Sequence, residues 1–277
     1  MLMTLVRLLP RAALSTAVGS LTRAPAPAGL HRAAMGAFAR AYRVALDEAD
    51  RPLSGYANFS EFFSRGLREG ARPIEPGEHV VVSPCDGAVS EAGTVEHGRC
   101  LQAKGLDFPV AELLGDPEAA RTFEEGGSFA TLYLAPRDYH RVHAPLGGRV
   151  TGFRYLPGEF WPVNAASVGS VRGLFTLNER LVTWLDTPAG RCALVMVGAT
   201  CVGRIRAAYD DLLTHDGRPA AARSYPEPRL LAKGAEMGRF EMGSTVILLF
   251  GPGRVRWDAG LVAGSRVVMG RRIGEAR

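Results

Sequence analysis

The hydrophobic and polar positions divide the chain into a helical start and a longer strand-rich remainder. Residues 30–47 are rich in Ala, Arg, Phe and Tyr with few breakers, and this predicts a helix. Asn58-Phe-Ser-Glu61 has the spacing of a capping box, and Phe62, Phe63 and Leu67 follow at helical intervals. The prolines and glycine of Arg72-Pro-Ile-Glu-Pro-Gly77 mark a boundary. From about residue 79, short apolar pieces alternate with Gly, Pro and Asp, the pattern of short strands and turns, with a short helix expected over 116–125. Ser83-Pro-Cys-Asp-Gly-Ala-Val89 and Ala144-Pro-Leu-Gly-Gly-Arg-Val150 echo each other as turns that deliver the chain into a strand. Residues 253–274 read as another meander. Val246–Phe250 is a continuous apolar run, hence a buried strand, and it is led in by Gly243-Ser244-Thr245, a glycine beside two hydroxyls. The expected fold is α+β: a helical N-terminal region, 1–76, ahead of a compact β-rich body, 77–277, built like a barrel or sandwich.

Composition narrows the function classes. With 47% apolar residues a sizeable core forms, which excludes global disorder. The formal charge of +5 is carried almost wholly by arginine, since lysine occurs only at Lys104 and Lys233. This balance suits an anionic partner, either a membrane surface or nucleic acid. The first 46 residues hold no Asp or Glu and six arginines: Arg7, Arg11, Arg23, Arg32, Arg40 and Arg43. Arg7, Pro10 and Arg11 break the apolar start before it reaches the about 20 residues of a spanning helix. A basic amphipathic segment lying on an anionic bilayer is the favoured reading; a signal peptide or an organellar transit peptide is the alternative. Cys85, Cys100, Cys192 and Cys201 lack CxxC spacing and read as reduced thiols in or near the core.

Three places can carry chemistry. His140 and His143 stand three apart between Pro136 and Pro145, and with no third ligand nearby they do not make a metal site. Asp86, before Gly87, is a turn residue by default. Ser244 changes that weighing, because a serine needs a base, and the base works best when a carboxylate orients it. Asp86, a histidine from 140 or 143, and Ser244 supply those roles. Ser244 lacks the G-x-S-x-G elbow of the α/β hydrolases, and the preceding Gly243 leaves its carbonyl open to attack by the Ser244 hydroxyl.

Met242-Gly-Ser-Thr245 resembles the Leu-Gly-Ser-Thr signature of the phosphatidylserine decarboxylase proenzyme family, with Met in place of the usual Leu. Further segments resemble the family in order from about residue 56 to 256. They include Phe62-Phe63 with Arg72-Pro-Ile74, Ser83-Pro-Cys-Asp-Gly87, Leu101-Gln-Ala-Lys-Gly105, and Tyr133-Leu-Ala-Pro-Arg-Asp-Tyr-His-Arg-Val-His-Ala-Pro145. Tyr155-Leu-Pro-Gly158, Pro162-Val-Asn164, Val197-Gly-Ala-Thr200 and Glu236-Met-Gly-Arg-Phe240 continue the series. The resemblance implies a precursor that cuts itself at Gly243–Ser244 into chains 1–243 and 244–277, which remain a heterodimer able to pair again. It implies that Asp86 holds the His143 ring, that His143 takes the Ser244 proton, and that Ser244 becomes a covalent pyruvoyl group. That group is implied to form a Schiff base with phosphatidylserine and release CO2, giving phosphatidylethanolamine, with His140 returning the proton. Phe160, Val163 and Asn164 are expected at the substrate pocket wall. The location implied is peripheral, on the cytoplasmic side of the cell membrane, with the mitochondrial inner membrane as the alternative.

Two other readings remain open at this stage. One is a Ser-His-Asp hydrolase or peptidase that keeps its serine. The other is a noncatalytic module like the biotinyl and lipoyl carriers, against which Lys104 and Lys233 lie in Ala-Lys-Gly rather than in a Met-Lys-Met hairpin. No RNA- or DNA-binding motif accompanies the arginines, so nucleic acid is not expected as a partner.

Overall fold

The computed structural model describes residues 11–24, 27–200, 204–214, 219–241 and 245–277. Met242, Gly243, Ser244, Cys201 and the apolar start at residues 2–9 lie outside the described residues.

Helices α1 (Arg11–Arg23) and α2 (Ala28–Tyr42) come first. The predicted 30–47 helix therefore begins slightly earlier and stops at Arg43, which takes the left-handed conformation (φ 58°) and returns its N–H to the last turn. The capping box forms at α3 (Phe59–Phe63), where the Asn58 side chain accepts from the Glu61 N–H at 2.9 Å. The Glu61 carboxylate reaches one residue further back than the motif requires, to the Ala57 N–H at 2.7 Å. Phe38 of α2 packs against Phe59, Phe62 and Phe63, so α2 and α3 share a small aromatic core. The helix expected over 116–125 is one turn, α5 (Pro117–Ala120), preceded by α4 (Val110–Leu114). Two more short helices follow, α6 (Ala165–Val168) and α7 (Leu174–Leu177).

The strands are β1 (Val80–Val82), β2 (Gly87–Thr94), β3 (Arg99–Ala103), β4 (Leu106–Pro109), β5 (Ser128–Tyr133), β6 (Arg141–His143), β7 (Gly148–Leu156) and β8 (Arg180–Thr187). They continue with β9 (Gly190–Val197), β10 (Ile205–Ala207), β11 (Ala221–Leu231), β12 (Glu236–Phe240), β13 (Thr245–Phe250), β14 (Val255–Trp257), β15 (Arg266–Val267) and β16 (Arg272–Ala276). Eight form one antiparallel sheet in the order β11-β7-β8-β9-β13-β5-β2-β15. β13 lies inside it, with all six residues in register with both β9 and β5. Its side chains alternate between two cores: Val246, Leu248 and Phe250 enter one, Ile247 and Leu249 the other. Burial on both faces is why this strand reads as an unbroken apolar run. The expected α+β class holds, with β structure dominant, but the barrel does not: among the described residues the sheets are open. One outer strand, β11, carries Pro226 and Pro228, which have no N–H to give a further neighbour, and the other, β15, is two residues long.

The two echoing turns do lead into strands, β2 and β7, and they are hydrogen-bonded to each other. Val82 N–H donates to Pro145 O at 2.9 Å, and His143 N–H donates to Pro84 O at 2.7 Å. This reciprocal pairing brings the Asp86 turn alongside β6. Cys85, Cys100 and Cys192 are buried free thiols, as expected.

Candidate active site

Asp86 sits in the turn before β2 and is 2% exposed. The next residue has to be glycine, because a Cβ on Gly87 would lie 2.3 Å from the Tyr133 carbonyl oxygen. The Asp86 carboxylate accepts from Arg72 Nε at 3.0 and 3.1 Å, from Arg72 Nη2 at 2.6 Å and from the Met269 N–H at 2.8 Å. Arg72 Nη2 also donates to Glu48 at 2.8 Å. Two such bonds from a planar guanidinium hold a carboxylate more firmly than a neutral imidazole would.

His143 ends β6. Its Nδ1 lies 2.8 Å from the Gly234 carbonyl and its Nε2 lies 3.2 Å from the Tyr139 hydroxyl. A carbonyl only accepts, so Nδ1 carries the proton and Nε2 keeps the lone pair, which the Tyr139 O–H meets. Burial pushes the Tyr139 phenol up to about 12, so it stays a donor at neutral pH. Burial also lowers the His143 pKa, against opposing pulls from the Gly234 bond and the charges of Glu236 and Asp86. The hydrogen bond expected from Asp86 to the His143 ring is not made in this arrangement. Both groups have other partners, and Asp86 reaches the ring through its charge.

His140 is fully buried just before β6. Its Nδ1 donates to the Asp138 carbonyl at 2.8 Å, its ring lies 4.1 Å from that of Phe63, and its Nε2 has no hydrogen-bond partner. Burial lowers its pKa to about 3, so it is neutral. The two histidines thus share a loop and strand rather than a helix face, and no cluster of three or more metal-ligating side chains occurs among the described residues.

Met242, Gly243 and Ser244 are not described, but Glu241 and Thr245 on either side of them are. On one side, Phe240 N–H donates to the His140 carbonyl at 3.0 Å, and β12 pairs with β6. On the other, Thr245 is in register with Tyr133 and Val197, and its buried hydroxyl has no partner. Phe160 and Val163 are buried, Val163 within the second core, and the Asn164 side chain caps α6 by accepting from Ser167 N–H at 3.0 Å. Arg72 and Tyr139 were missed as site residues. Both stand in segments that carried the family resemblance, Arg72-Pro-Ile74 and Tyr133–Pro145, and that was the available signal.

Together the turn before β2 and strand β6 with the loop before it gather three buried ionisable side chains, Asp86, His140 and His143, in one region of the β-rich body. The chain matches the family model described as phosphatidylserine decarboxylase over residues 59–275. It is 58% identical over 272 residues to the phosphatidylserine decarboxylase proenzyme of Myxococcus xanthus, covering 98% of this chain and 97% of the relative. It is 59% identical over 274 residues to the protein of that name from Anaeromyxobacter sp. (98% and 96%), and 48% identical over 243 residues to that from Pseudomonas fluorescens (86% and 84%). The chain belongs to the phosphatidylserine decarboxylase family.

Proposed function

We propose that this chain is a precursor that cuts itself between Gly243 and Ser244 and then decarboxylates phosphatidylserine to phosphatidylethanolamine. The family match over residues 59–275 carries this reading. His143 is the base that takes the Ser244 hydroxyl proton. Its support is the tautomer: with Nδ1–H on Gly234, Nε2 is the basic nitrogen, and burial keeps it neutral and ready. The nearby Asp86 charge favours the imidazolium that forms, and Arg72 keeps that carboxylate in place. The Ser244 oxygen attacks the Gly243 carbonyl, and the amide becomes an ester. Elimination releases residues 1–243 as a carboxylate. Hydration of the remaining dehydroalanine expels ammonia and leaves a pyruvoyl group at the head of residues 244–277.

Two buried polar atoms without partners, His140 Nε2 and Thr245 Oγ1, fit a polar group at this position. The pyruvoyl group supplies a carbonyl for the substrate amine and an electron sink for the departing carboxylate. His140 returns a proton to the substrate carbon through Nε2: the resting ring is neutral with its own proton on Nδ1, so Nε2 first takes the proton that the substrate ammonium sheds and then hands it to the carbon. The smaller chain stays bound because its first strand, β13, is paired on both sides by the larger one. Residues 1–76 form the region that lies on the anionic bilayer from the cytoplasmic side. Its support is the acid-free, arginine-bearing start and the exposed Leu21 and Leu30 on α1 and α2. No helix among the described residues is long and apolar enough to cross a membrane.

Intact-mass spectrometry of the purified protein tests the cut: two chains are expected, the smaller beginning with pyruvoyl at position 244. One uncut chain that reacts with serine-directed probes would put the hydrolase reading first. His143→Ala is expected to block processing, whereas His140→Ala still cuts but decarboxylates poorly. Normal maturation of His143→Ala would remove His143 as the base.

A further inference from the structure

Arg65 lies two residues beyond Phe63, the ring that covers His140. It is 3% exposed. Its Nη2 donates to the Arg137 carbonyl at 3.2 Å, and its guanidinium sits 5.6 Å from the centre of the Phe62 ring. Its Nε and Nη1 are buried and have no hydrogen-bond partner, and it makes no ion pair among the described residues. Nearby acids act on it only from a distance. Asp86 and Glu48 are bonded to Arg72, while Asp138 is held by Arg266 at 2.8 Å and by the Ala135 N–H. A buried cation with two idle donors is costly unless an anion arrives to meet them.

The position says which process that anion belongs to. Arg65 and His140 hang on neighbouring carbonyls of one loop, those of Arg137 and Asp138. Both present unpartnered buried nitrogens, Nε and Nη1 on one and Nε2 on the other. Phosphatidylserine carries two anionic groups, the carboxylate that leaves and the phosphodiester that stays. A cation on the carboxylate would stabilise the charge that the reaction has to disperse, and so would raise the barrier. The phosphodiester keeps its charge throughout, so a cation there strengthens ground state and transition state alike. Each of its two non-bridging oxygens can accept a charge-assisted hydrogen bond from a guanidinium N–H.

We propose that Arg65 binds the phosphodiester of the lipid substrate by its charge and by donation from one of its idle N–H groups, beside His140. This rests on the decarboxylase reading, and an inactive wild-type protein would sink that reading rather than this one. The test uses matured protein, with Arg65→Gln and Arg65→Lys first checked by mass for the two chains. For Arg65→Gln the KM for phosphatidylserine in mixed micelles should rise roughly 10- to 100-fold with kcat little changed, the size expected for losing charge-assisted hydrogen bonds present in both states. Arg65→Lys should recover part of that loss. Inhibition by glycerophosphoethanolamine, which has the phosphodiester but no carboxylate, should weaken by the same factor. A raised KM with unchanged inhibition would move Arg65 to the carboxylate and overturn the assignment. Unchanged KM, or a fall in kcat alone, would overturn it as well. If Arg65→Gln does not mature, the wild-type protein decides: glycerophosphoethanolamine should inhibit at least about tenfold better than ethanolamine, and equal inhibition refutes a phosphodiester site.

Discussion

Replacing Tyr139 by Phe removes one oxygen and leaves the ring that packs against His143 at 5.5 Å between centres. That oxygen lies 3.2 Å from His143 Nε2 and donates to its lone pair while the imidazole is neutral; once Nε2 is protonated the same oxygen turns and accepts from Nε2–H. The bond to the charged ring is the stronger, so losing the oxygen disfavours protonation and lowers the His143 pKa. A bond to a charged group exceeds a neutral one by about 1 kcal/mol, and one pKa unit is about 1.4 kcal/mol, so the shift is about half a unit to one unit downward. The other charges facing the ring, Glu236, Arg141 and Asp86, are untouched by the change. His143 must be neutral to act as a base, so processing slows as pH falls through its pKa, and the acid limb in Tyr139→Phe should move downward by about half a unit. The assay is cell-free synthesis of the precursor, transfer to buffers between about pH 5 and 8, and timed appearance of the smaller chain; the range spans ordinary histidine titration. An acid limb that stays in place or moves up would refute the bond between Tyr139 and Nε2 on which this reasoning stands.

Other consequences follow from the same geometry. Arg72→Met strands the buried Asp86 carboxylate and should cost about 3–5 kcal/mol, measured by urea unfolding in a Ser244→Ala background that keeps one chain. A loss under about 1 kcal/mol would show that water compensates the charge. His140 is neutral when folded, with a pKa near 3 against an ordinary value of 6.5. The unfolded chain therefore binds the extra proton first, and stability falls as pH drops from about 6.5 toward 3, by up to about 5 kcal/mol over the whole window. His140→Asn should flatten that part of the stability–pH curve, and an unchanged slope would mean that other groups set the acid sensitivity. Leu248→Ala, at a fully buried position of β13, should cost about 2–5 kcal/mol in the same unfolding assay; a smaller loss would mean that the two cores close over the gap.

Much of this protein was legible in its residues. The unbroken run Val246–Phe250 announced a strand with no polar face, and the structure explains it by two cores, one on each side. The cap at Asn58 and the turns before β2 and β7 are local, set by side-chain oxygens, proline and glycine within a few residues, so they could be read in order along the chain. The histidine pair, Asp86 and the Gly243-Ser244 step were also visible as residue types whose chemistry belongs together.

Partnership was not visible. That Asp86 is clamped by Arg72, that Gly234 fixes the His143 tautomer, and that Tyr139 meets its lone pair depend on segments far apart in sequence and joined by strand pairing. Whether the sheet closes into a barrel depended on its edges, where Pro226, Pro228 and a two-residue strand leave it open. The idle donors of Arg65 belong to the same category. A sequence states which groups a chain possesses and which turns it favours, because those preferences are local. How many partners a buried group finds is a property of the packed whole, since each donor and acceptor is satisfied or left over only when every other segment is in place.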